Sequence, residues 1–156
     1  MFGAGGGTSS YEELEQTDVL VLWGSNARET HPIMFQHMLK GQRNGAHLVV
    51  VDPRRTPSAR WANEHVALRV GSDIAVANAM AHVVIAEGLQ HAGFVENSTR
   101  GYDEFHASVA HTTPEWAERE SGVPADQIRR ICSAGTPDSR SAHSGVVWAT
   151  EARNSS

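Results

Sequence analysis

One stretch decides the fold, and it reads Asp18-Val19-Leu20-Val21-Leu22-Trp23-Gly24-Ser25-Asn26-Ala27-Arg28-Glu29-Thr30-His31-Pro32. Its apolar first part, followed by Gly-Ser-Asn, predicts a strand that is buried on both faces in the middle of a parallel sheet. Gly24 predicts a turn, and Thr30 or His31 is placed to cap a helix that begins at Pro32. Strand, polar loop and helix together predict half of a nucleotide-binding unit, in which loop amides and the helix start hold phosphate.

A second apolar run, at residues 47–51, predicts another strand that is covered on both faces. The helix between the two strands is expected at about residues 32–43 and to end at Asn44-Gly45. Its predicted stripe at helical spacing comprises Met34, His37, Met38 and Gly41. Strand, helix and strand together predict one right-handed crossover unit.

Asp52 stands at the carboxyl end of the second strand, and Arg54-Arg55 follow closely. In doubly wound sheets, ligands bind beyond the carboxyl ends of the strands, and an acid at this position accepts hydrogen bonds from the nucleotide's sugar or base. A carboxylate can also accept two parallel N–H bonds from a guanine edge. We favour ligand contact by Asp52 over the alternative, which is an ordinary strand-ending turn followed by solvated arginines.

Residues 65–70 predict a third, shorter strand with alternating character. Before it, residues 56–63 predict a short helix that is anchored in the core by Trp61. After it, Gly71-Ser72-Asp73 predict a cap for a helix at 74–87, whose core stripe is expected to be Ile74, Ala77, Ala81, Val84 and Ile85.

Three polar loops, at residues 24–29, 52–55 and 71–73, thus follow three predicted parallel strands. We expect them to converge at one edge of the sheet, because the carboxyl ends of parallel strands share an edge. For the third loop, simple helix capping explains the spacing as well as ligand contact does.

The remainder predicts small helices from Phe94 to about residue 134, followed by a polar, disordered tail at 135–156. We therefore expect a single α/β domain at 1–134, with a parallel sheet flanked by helices. The glycine-rich lead at 3–10 is a weak phosphate loop, because no strand precedes it.

Composition narrows the function classes. A net charge of -5 over 156 residues argues against a nucleic-acid binder that relies on a broad basic surface. No apolar stretch reaches the length of a membrane span and no secretion signal is evident, so we expect a cytoplasmic protein without membrane insertion. The only cysteine, Cys132, cannot by itself hold zinc or an iron–sulfur cluster, and the nine histidines are scattered, so no metal site is expected.

Several spaced motifs, in the same order, resemble the molybdopterin oxidoreductase family, and within it the alpha (catalytic) subunits of formate dehydrogenases. The resemblance covers residues 2–132 and is carried by Gly24 to Pro32, Asn44-Gly45-Ala46, Val51 to Thr56, Gly71 to Ala75, Phe94-Val95-Glu96, Ser121 to Ala125 and Ile128-Arg129. It implies a Rossmann-like domain that holds one of two molybdopterin guanine dinucleotides.

By this resemblance, seven residues are cofactor-binding: Gly24, Asn26 and Glu29 at the phosphates and ribose, Asp52 and Arg54 on the guanine side, and Gly71 and Asp73 in the third loop. The complete enzyme would carry molybdenum on the bis form of the cofactor and would oxidise formate to carbon dioxide. Its iron–sulfur cluster is expected outside this chain, as are the metal ligand and every catalytic residue. We therefore expect a fragment that is inactive alone.

The implied partners are the remainder of the catalytic subunit and electron-transfer subunits. Two alternatives stay open at this point. One is another oxoanion reductase of the same family, such as a nitrate reductase, and the other is a stand-alone nucleotide-binding or interaction module without redox activity.

Overall fold

A computed structural model describes residues 10–134 of the protein and the backbone of residues 146–150. The chain divides into two compact units, one comprising the described residues up to Val66 together with 146–150, and the other comprising 67–134. The glycine-rich lead before Ser10 and most of the predicted tail lie outside the described residues. A single domain at 1–134 stays a prediction.

The first unit contains a four-stranded, fully parallel sheet in the order β3-β2-β1-β4. The strands are β1 (Val19–Trp23), β2 (His47–Val51), β3 (Glu64–Val66) and β4 (Val146–Thr150). The α/β class with a parallel sheet flanked by helices is confirmed. Strand β4 lies within the predicted tail and pairs with β1 from Val19↔Val146 to Trp23↔Thr150. Its Val-Val-Trp sequence has the β-branched and aromatic residues that strands favour.

Strands β1 and β2 form the centre of the sheet, and their side chains are buried on both faces, except for the partly exposed ends His47 and Trp23. On one face, Leu20, Leu22, Leu48 and Val50 pack in one cluster with apolar side chains of the helix α3 (Pro32–Arg43). The buried residues of α3 are Phe35, Met38, Leu39 and Gly41, and Met34 packs against the same cluster, so the predicted stripe is correct for Met34, Met38 and Gly41. A short helix, α2 (Ala27–Thr30), separates the first loop from α3.

The helix α1 (Tyr11–Gln16) packs directly against α3. Its start is a capping box, as Ser10 Oγ accepts the N–H of Glu13 and the Glu13 carboxylate accepts the N–H of Ser10. The backbones approach so closely at Gly41 that a Cβ there would lie 2.2 Å from the carbonyl oxygen of Leu14. Glycine is therefore required in this helix by packing.

The second unit is helical. Its elements are α4 (Asp73–Ala86), α5 (Ala92–Ser98), α6 (Tyr102–Val109), α7 (Pro114–Ser121) and α8 (Ala125–Ser133). The predicted caps at Thr113-Pro114 and before Ala125 are confirmed as helix starts. The predicted core stripe of α4 is wrong: Val76, Ala79, Met80 and Val83 are buried, whereas Ile74 is 74% exposed. Because α4 is apolar on nearly all sides, periodicity could not identify its inner face.

Two further predictions between β2 and α4 are wrong. Strand β3 ends at Val66, so residues 67–70 do not continue it. Residues 57–61 form turns instead of a helix, and Trp61 is 50% exposed instead of anchored in the core. The small side chain of Ala59, which is buried, fills the core position in this segment.

Candidate cofactor-binding site

The two central strands end side by side at one edge of the sheet. Trp23 pairs with Val51, and the N–H of Gly24 donates to the carbonyl oxygen of Val51 at 2.8 Å. The loops that follow β1 and β2 therefore begin next to each other. Gly24 has a φ of +59°, and a Cβ at this residue would meet no atom within 4 Å. The backbone at this turn thus borders open space, which leaves room for close approach by a ligand.

Asn26 and Ser58 join these two loops. The Ser58 hydroxyl donates to Asn26 Oδ1 at 3.0 Å, and the Ser58 N–H lies 3.4 Å from the same oxygen. The Ser58 hydroxyl also accepts the N–H of Arg28 at 3.0 Å. Ser58 is 0% exposed, so these bonds lie away from water, where polar groups need partners. The relative position of the two loops is thereby fixed by side chains that are far apart in sequence.

Glu29 lies on the other side of the Asn26 amide. Asn26 Nδ2 donates to Glu29 Oε2 at 2.7 Å, and the Glu29 side chain is exposed. The backbone N–H groups of Ser25 and Asn26 have no acceptor among the described residues. The Ser25 hydroxyl is also buried without a partner in the described part of the chain. This loop therefore presents several polar groups whose hydrogen-bonding capacity the described residues leave unused.

Asp52 is buried, with 4% of its surface exposed. Its Oδ1 accepts the N–H of Arg54 at 2.7 Å and lies 3.8 Å from Arg54 Nε. The backbone of Asp52 is held as well. Its N–H donates to the carbonyl oxygen of Val66 at 3.1 Å, and the carbonyl oxygen of Asp52 lies 2.8 Å from His65 Nε2. The carboxylate is therefore fixed at the strand end, while the Arg54 side chain is 77% exposed.

Gly71 and Asp73 belong to the second unit. Gly71 has a φ of +88°, and Asp73 is the first residue of α4. The preceding Ser72 donates its hydroxyl to the carbonyl oxygen of Arg69 at 2.7 Å, and the N–H of Arg69 donates to Ser121 at 2.9 Å. The structure thus brings together Gly24, Asn26, Glu29, Asp52 and Arg54 within the first unit. Convergence with the third loop stays a prediction.

Sequence reasoning missed Ser58. It assigned residues 56–63 to a helix, in which a serine hydroxyl has no special role. The sequence Thr56-Pro57-Ser58 shortly after Asp52 was a usable signal, because proline restricts the residue before it to extended or turn backbone. A small hydroxyl residue in such a loop is well suited to bond a neighbouring loop.

A separate cavity of about 310 Å³ lies beside α3. It is lined by Arg28, Pro32, Phe35, Gln36, Leu39, Arg43 and Trp61. The guanidinium of Arg28 lies 5.9 Å from the centre of the Trp61 ring, which is within the range of a cation–π contact. None of the seven predicted cofactor-binding residues lines this cavity.

Among the described residues, no group of three or more His, Cys, Asp and Glu side chains is placed to hold a metal ion. Burial raises the pKa of the Cys132 thiol to about 12, and the charge of Glu87 adds to this effect. This thiol therefore stays protonated at neutral pH and is a poor nucleophile or metal ligand.

Among the helices of the described residues, none combines the length and the apolar character needed to traverse a bilayer.

The sequence profile of the molybdopterin oxidoreductase family matches residues 3–143. This range includes both strand-end loops of the first unit. The chain belongs to the molybdopterin oxidoreductase family. The resemblance that the motifs indicated is thereby confirmed, and an oxidoreductase is supported.

Two curated relatives are formate dehydrogenases. The chain is 41% identical over 128 residues to formate dehydrogenase H of Escherichia coli, and 39% identical over 127 residues to the F420-dependent formate dehydrogenase 2 subunit alpha of Methanococcus maripaludis. A third relative is the thiosulfate reductase molybdopterin-containing subunit PhsA of Salmonella typhimurium, with 40% identity over 120 residues. These matches cover 82%, 81% and 76% of this chain but only 18%, 19% and 16% of the relatives. The chain thus spans about a fifth of the length of these larger proteins.

The fold is similar to that of a solved structure, acetylene hydratase from Pelobacter acetylenicus, with a TM-score of 0.73 and 25% identity. The similarity covers 89% of this chain and 21% of the hydratase chain. Sequence and fold comparisons therefore agree that the chain is similar to a part of much larger proteins.

Proposed function

We propose that this chain is the part of a formate dehydrogenase-type catalytic subunit that binds the guanine nucleotide end of a molybdopterin guanine dinucleotide. The observation that carries the proposal is the joined pair of strand-end loops, in which Asn26 and Asp52 stand beyond adjacent parallel strands. Ligands of doubly wound sheets bind beyond such strand ends. Family membership supports a molybdopterin cofactor independently of this geometry.

The first loop suits the phosphates and the ribose. Gly24 lets the ligand approach the backbone, and the unused N–H groups of Ser25 and Asn26 suit phosphate oxygens. Glu29, as a carboxylate, only accepts hydrogen bonds and would repel a phosphate, so its role is to accept from a ribose hydroxyl. The residues present therefore fit a nucleotide, with donors and an acceptor in separate places.

The second loop suits the base. A fixed carboxylate at Asp52 can accept the N1–H and N2–H bonds of guanine, a pair of donors that adenine does not offer. The exposed guanidinium of Arg54 can cover the base or reach a phosphate. Asp52 is thus the residue that we expect to determine the base preference.

When bound in the complete enzyme, the molybdenum form of the cofactor would supply the two-electron redox chemistry. The residues described here would bind and orient the nucleotide end and would take no catalytic part. The proposed partners are the remainder of the catalytic subunit, which would also contain the iron–sulfur cluster, and electron-transfer subunits. The proposed compartment is the cytoplasm.

Two relatives favour a second candidate class of substrate, which comprises thiosulfate and nitrate. The identity to the thiosulfate reductase subunit is 40%, close to that of the formate dehydrogenases, and a nitrate reductase of Synechocystis is 33% identical over 129 residues. The nucleotide-binding role is the same under either substrate. Joining the chain to the sequence that flanks its coding region, and assaying formate, nitrate and thiosulfate, would decide between these substrates.

Calorimetric titration of the purified chain with GDP and with ADP tests the nucleotide role. We expect GDP to bind more tightly than ADP and Asp52→Asn to abolish the difference. Asparagine keeps an oxygen for the Arg54 N–H but replaces the other oxygen with a donor, which opposes the donors of guanine. Asp126→Asn, an exposed acid in the second unit, is the matched control and should leave both titrations unchanged.

Equal binding of GDP and ADP, or none, would contradict the guanine nucleotide role and favour an interaction module. Loss of preference in Asp126→Asn as well would show that the effect is not local to Asp52. Urea unfolding of each variant, compared with the wild-type chain, identifies any variant whose loss of binding follows from loss of the fold.

A further inference from the structure

We propose that Ser58 is a positioning residue that determines which end of the Asn26 side-chain amide faces the ligand. Its hydroxyl holds the amide so that Asn26 offers the ligand a hydrogen-bond donor and no acceptor. This inference rests on the proposed nucleotide-binding role and adds to it the chemical class of the ligand atom that Asn26 contacts.

The neighbours of Asn26 leave only one orientation for its amide. The backbone N–H of Ser58 can only donate, so the Asn26 atom that faces it must be the oxygen. The carboxylate of Glu29 can only accept, so the Asn26 atom at 2.7 Å must be the nitrogen. A flipped amide would place donor against donor at Ser58 and acceptor against acceptor at Glu29.

At the oxygen end of the amide, the Ser58 hydroxyl contributes more to this restraint than the Ser58 N–H does. Its hydroxyl lies 3.0 Å from Asn26 Oδ1, whereas its N–H lies 3.4 Å from that oxygen. The hydroxyl is fixed in turn, because it accepts the N–H of Arg28 and is wholly buried. Removing it would leave one long bond to Oδ1 and an unpaired N–H at Arg28.

The orientation of the Asn26 amide determines which hydrogen bond it can still make with a ligand. Two donors of Ser58 occupy the two lone pairs of Asn26 Oδ1, and Glu29 takes one of the two Nδ2 protons. One N–H of Nδ2 remains, so the ligand atom at Asn26 must be an acceptor oxygen. A phosphate oxygen and a ribose oxygen both meet this requirement.

The first test needs no ligand. In the wild-type chain, ¹⁵N relaxation should show that the side-chain N–H₂ group of Asn26 is rigid, with an order parameter of about 0.8. In Ser58→Ala, this order parameter should fall below about 0.6. Ser58→Thr keeps the hydroxyl and should restore the wild-type value. Thr56→Val is the matched control, since Thr56 is a buried hydroxyl of the same loop that bonds Ala59 and not Asn26.

A mobile Asn26 amide in the wild-type chain would overturn the proposal, and this measurement does not depend on whether any variant folds. An Asn26 signal that is equally disturbed in Thr56→Val and Ser58→Ala would also overturn it, because the effect would then be general loosening of the loop.

The second test uses GDP and guanosine as probes. Losing one oriented donor should weaken GDP binding about fivefold in Ser58→Ala, with recovery in Ser58→Thr. If Asn26 contacts phosphate, guanosine binding is unchanged in Ser58→Ala, and if it contacts ribose, guanosine binding weakens as well. Unchanged GDP affinity in a folded Ser58→Ala would overturn the link to binding. Absence of wild-type selectivity for GDP over ADP would contradict the proposed function, while the relaxation measurement would still decide the role of Ser58.

Discussion

The long helices α3 and α4 bury their residues in different ways. α3 has polar residues on its outer side, and at Gly41 it touches the backbone of α1. α4 is apolar on almost every side, yet it buries only one face and leaves Ile74 exposed. The comparison teaches that the inner face of a helix is easiest to identify as the side opposite its polar residues. It also teaches that a small residue such as Gly41 can matter more for packing than a large one.

The largest expected effect is at the contact between α1 and α3. Gly41→Ala should destabilise the protein by about 3 kcal/mol, because the new Cβ would overlap the carbonyl oxygen of Leu14 and force the two helices apart. Urea unfolding followed by circular dichroism measures the change. Gly88→Ala is the control: its Cβ would meet no atom within 4 Å, so only its φ of +67° opposes the change, at a cost of about 1 kcal/mol. Similar losses in both variants would contradict the close approach.

The next effect concerns which face of α4 is buried. Met80→Ala should cost about 2–4 kcal/mol, because Met80 is buried and its loss leaves a cavity. Ile74→Ala removes an apolar side chain of similar size from the exposed face and should change the free energy of unfolding by less than about 0.5 kcal/mol. If Ile74→Ala were the more damaging variant, the stripe predicted from periodicity would be right and the face described here would be wrong.

The same contrast explains what the sequence predicted and what it did not. β1, β2 and α3 were predicted nearly to the residue, because apolar runs, caps and glycine stops agree there. Residues 56–63 and the end of β3 were not, because short segments of mixed character lack a period. Strand β4 is far from β1 in the sequence, so no local pattern indicates that these two strands pair.

In the candidate site too, residues placed by a local sequence pattern could be predicted, and residues placed by a tertiary contact could not. Asp52 and Asn26 were identifiable because parallel pairing of β1 and β2 forces their loops to share an edge. Ser58 was not, because its role depends on a tertiary contact across the two loops, and a serine in sequence gives no sign of its partner. The placement of Gly71 and Asp73 depended on a third strand that ends earlier than expected, at Val66.

A smaller effect is expected at the start of α1. Ser10→Ala removes the side-chain acceptor of the Glu13 N–H and should cost about 1 kcal/mol. Glu13→Gln keeps a side chain that can bond the Ser10 N–H and should be nearly neutral. Thermal unfolding of the two variants, compared with the wild type, measures both values. A loss in Glu13→Gln as large as that in Ser10→Ala would contradict this expectation and indicate that the charge of Glu13 also stabilises this helix start.

The smallest effect is a pH dependence at the other end of the α1–α3 contact. A hydrogen bond from His37, and after it one from Lys40, holds the pKa of Glu15 below its ordinary value of 4.5. Because the folded-state pKa is the lower one, the stabilisation is fully present above about pH 4.5 and is lost as the pH falls through the folded-state pKa. Solvent screens this pair, so the effect should be smaller than that of Ser10→Ala.

Glu15→Gln, whose side chain imitates the protonated acid, measures this effect. The difference in unfolding free energy between the wild type and Glu15→Gln should be greatest near neutral pH and shrink toward zero as the solution is acidified below pH 4.5. A difference at Glu15 that grows on acidification would mean that His37 and Lys40 do not favour the ionised carboxylate.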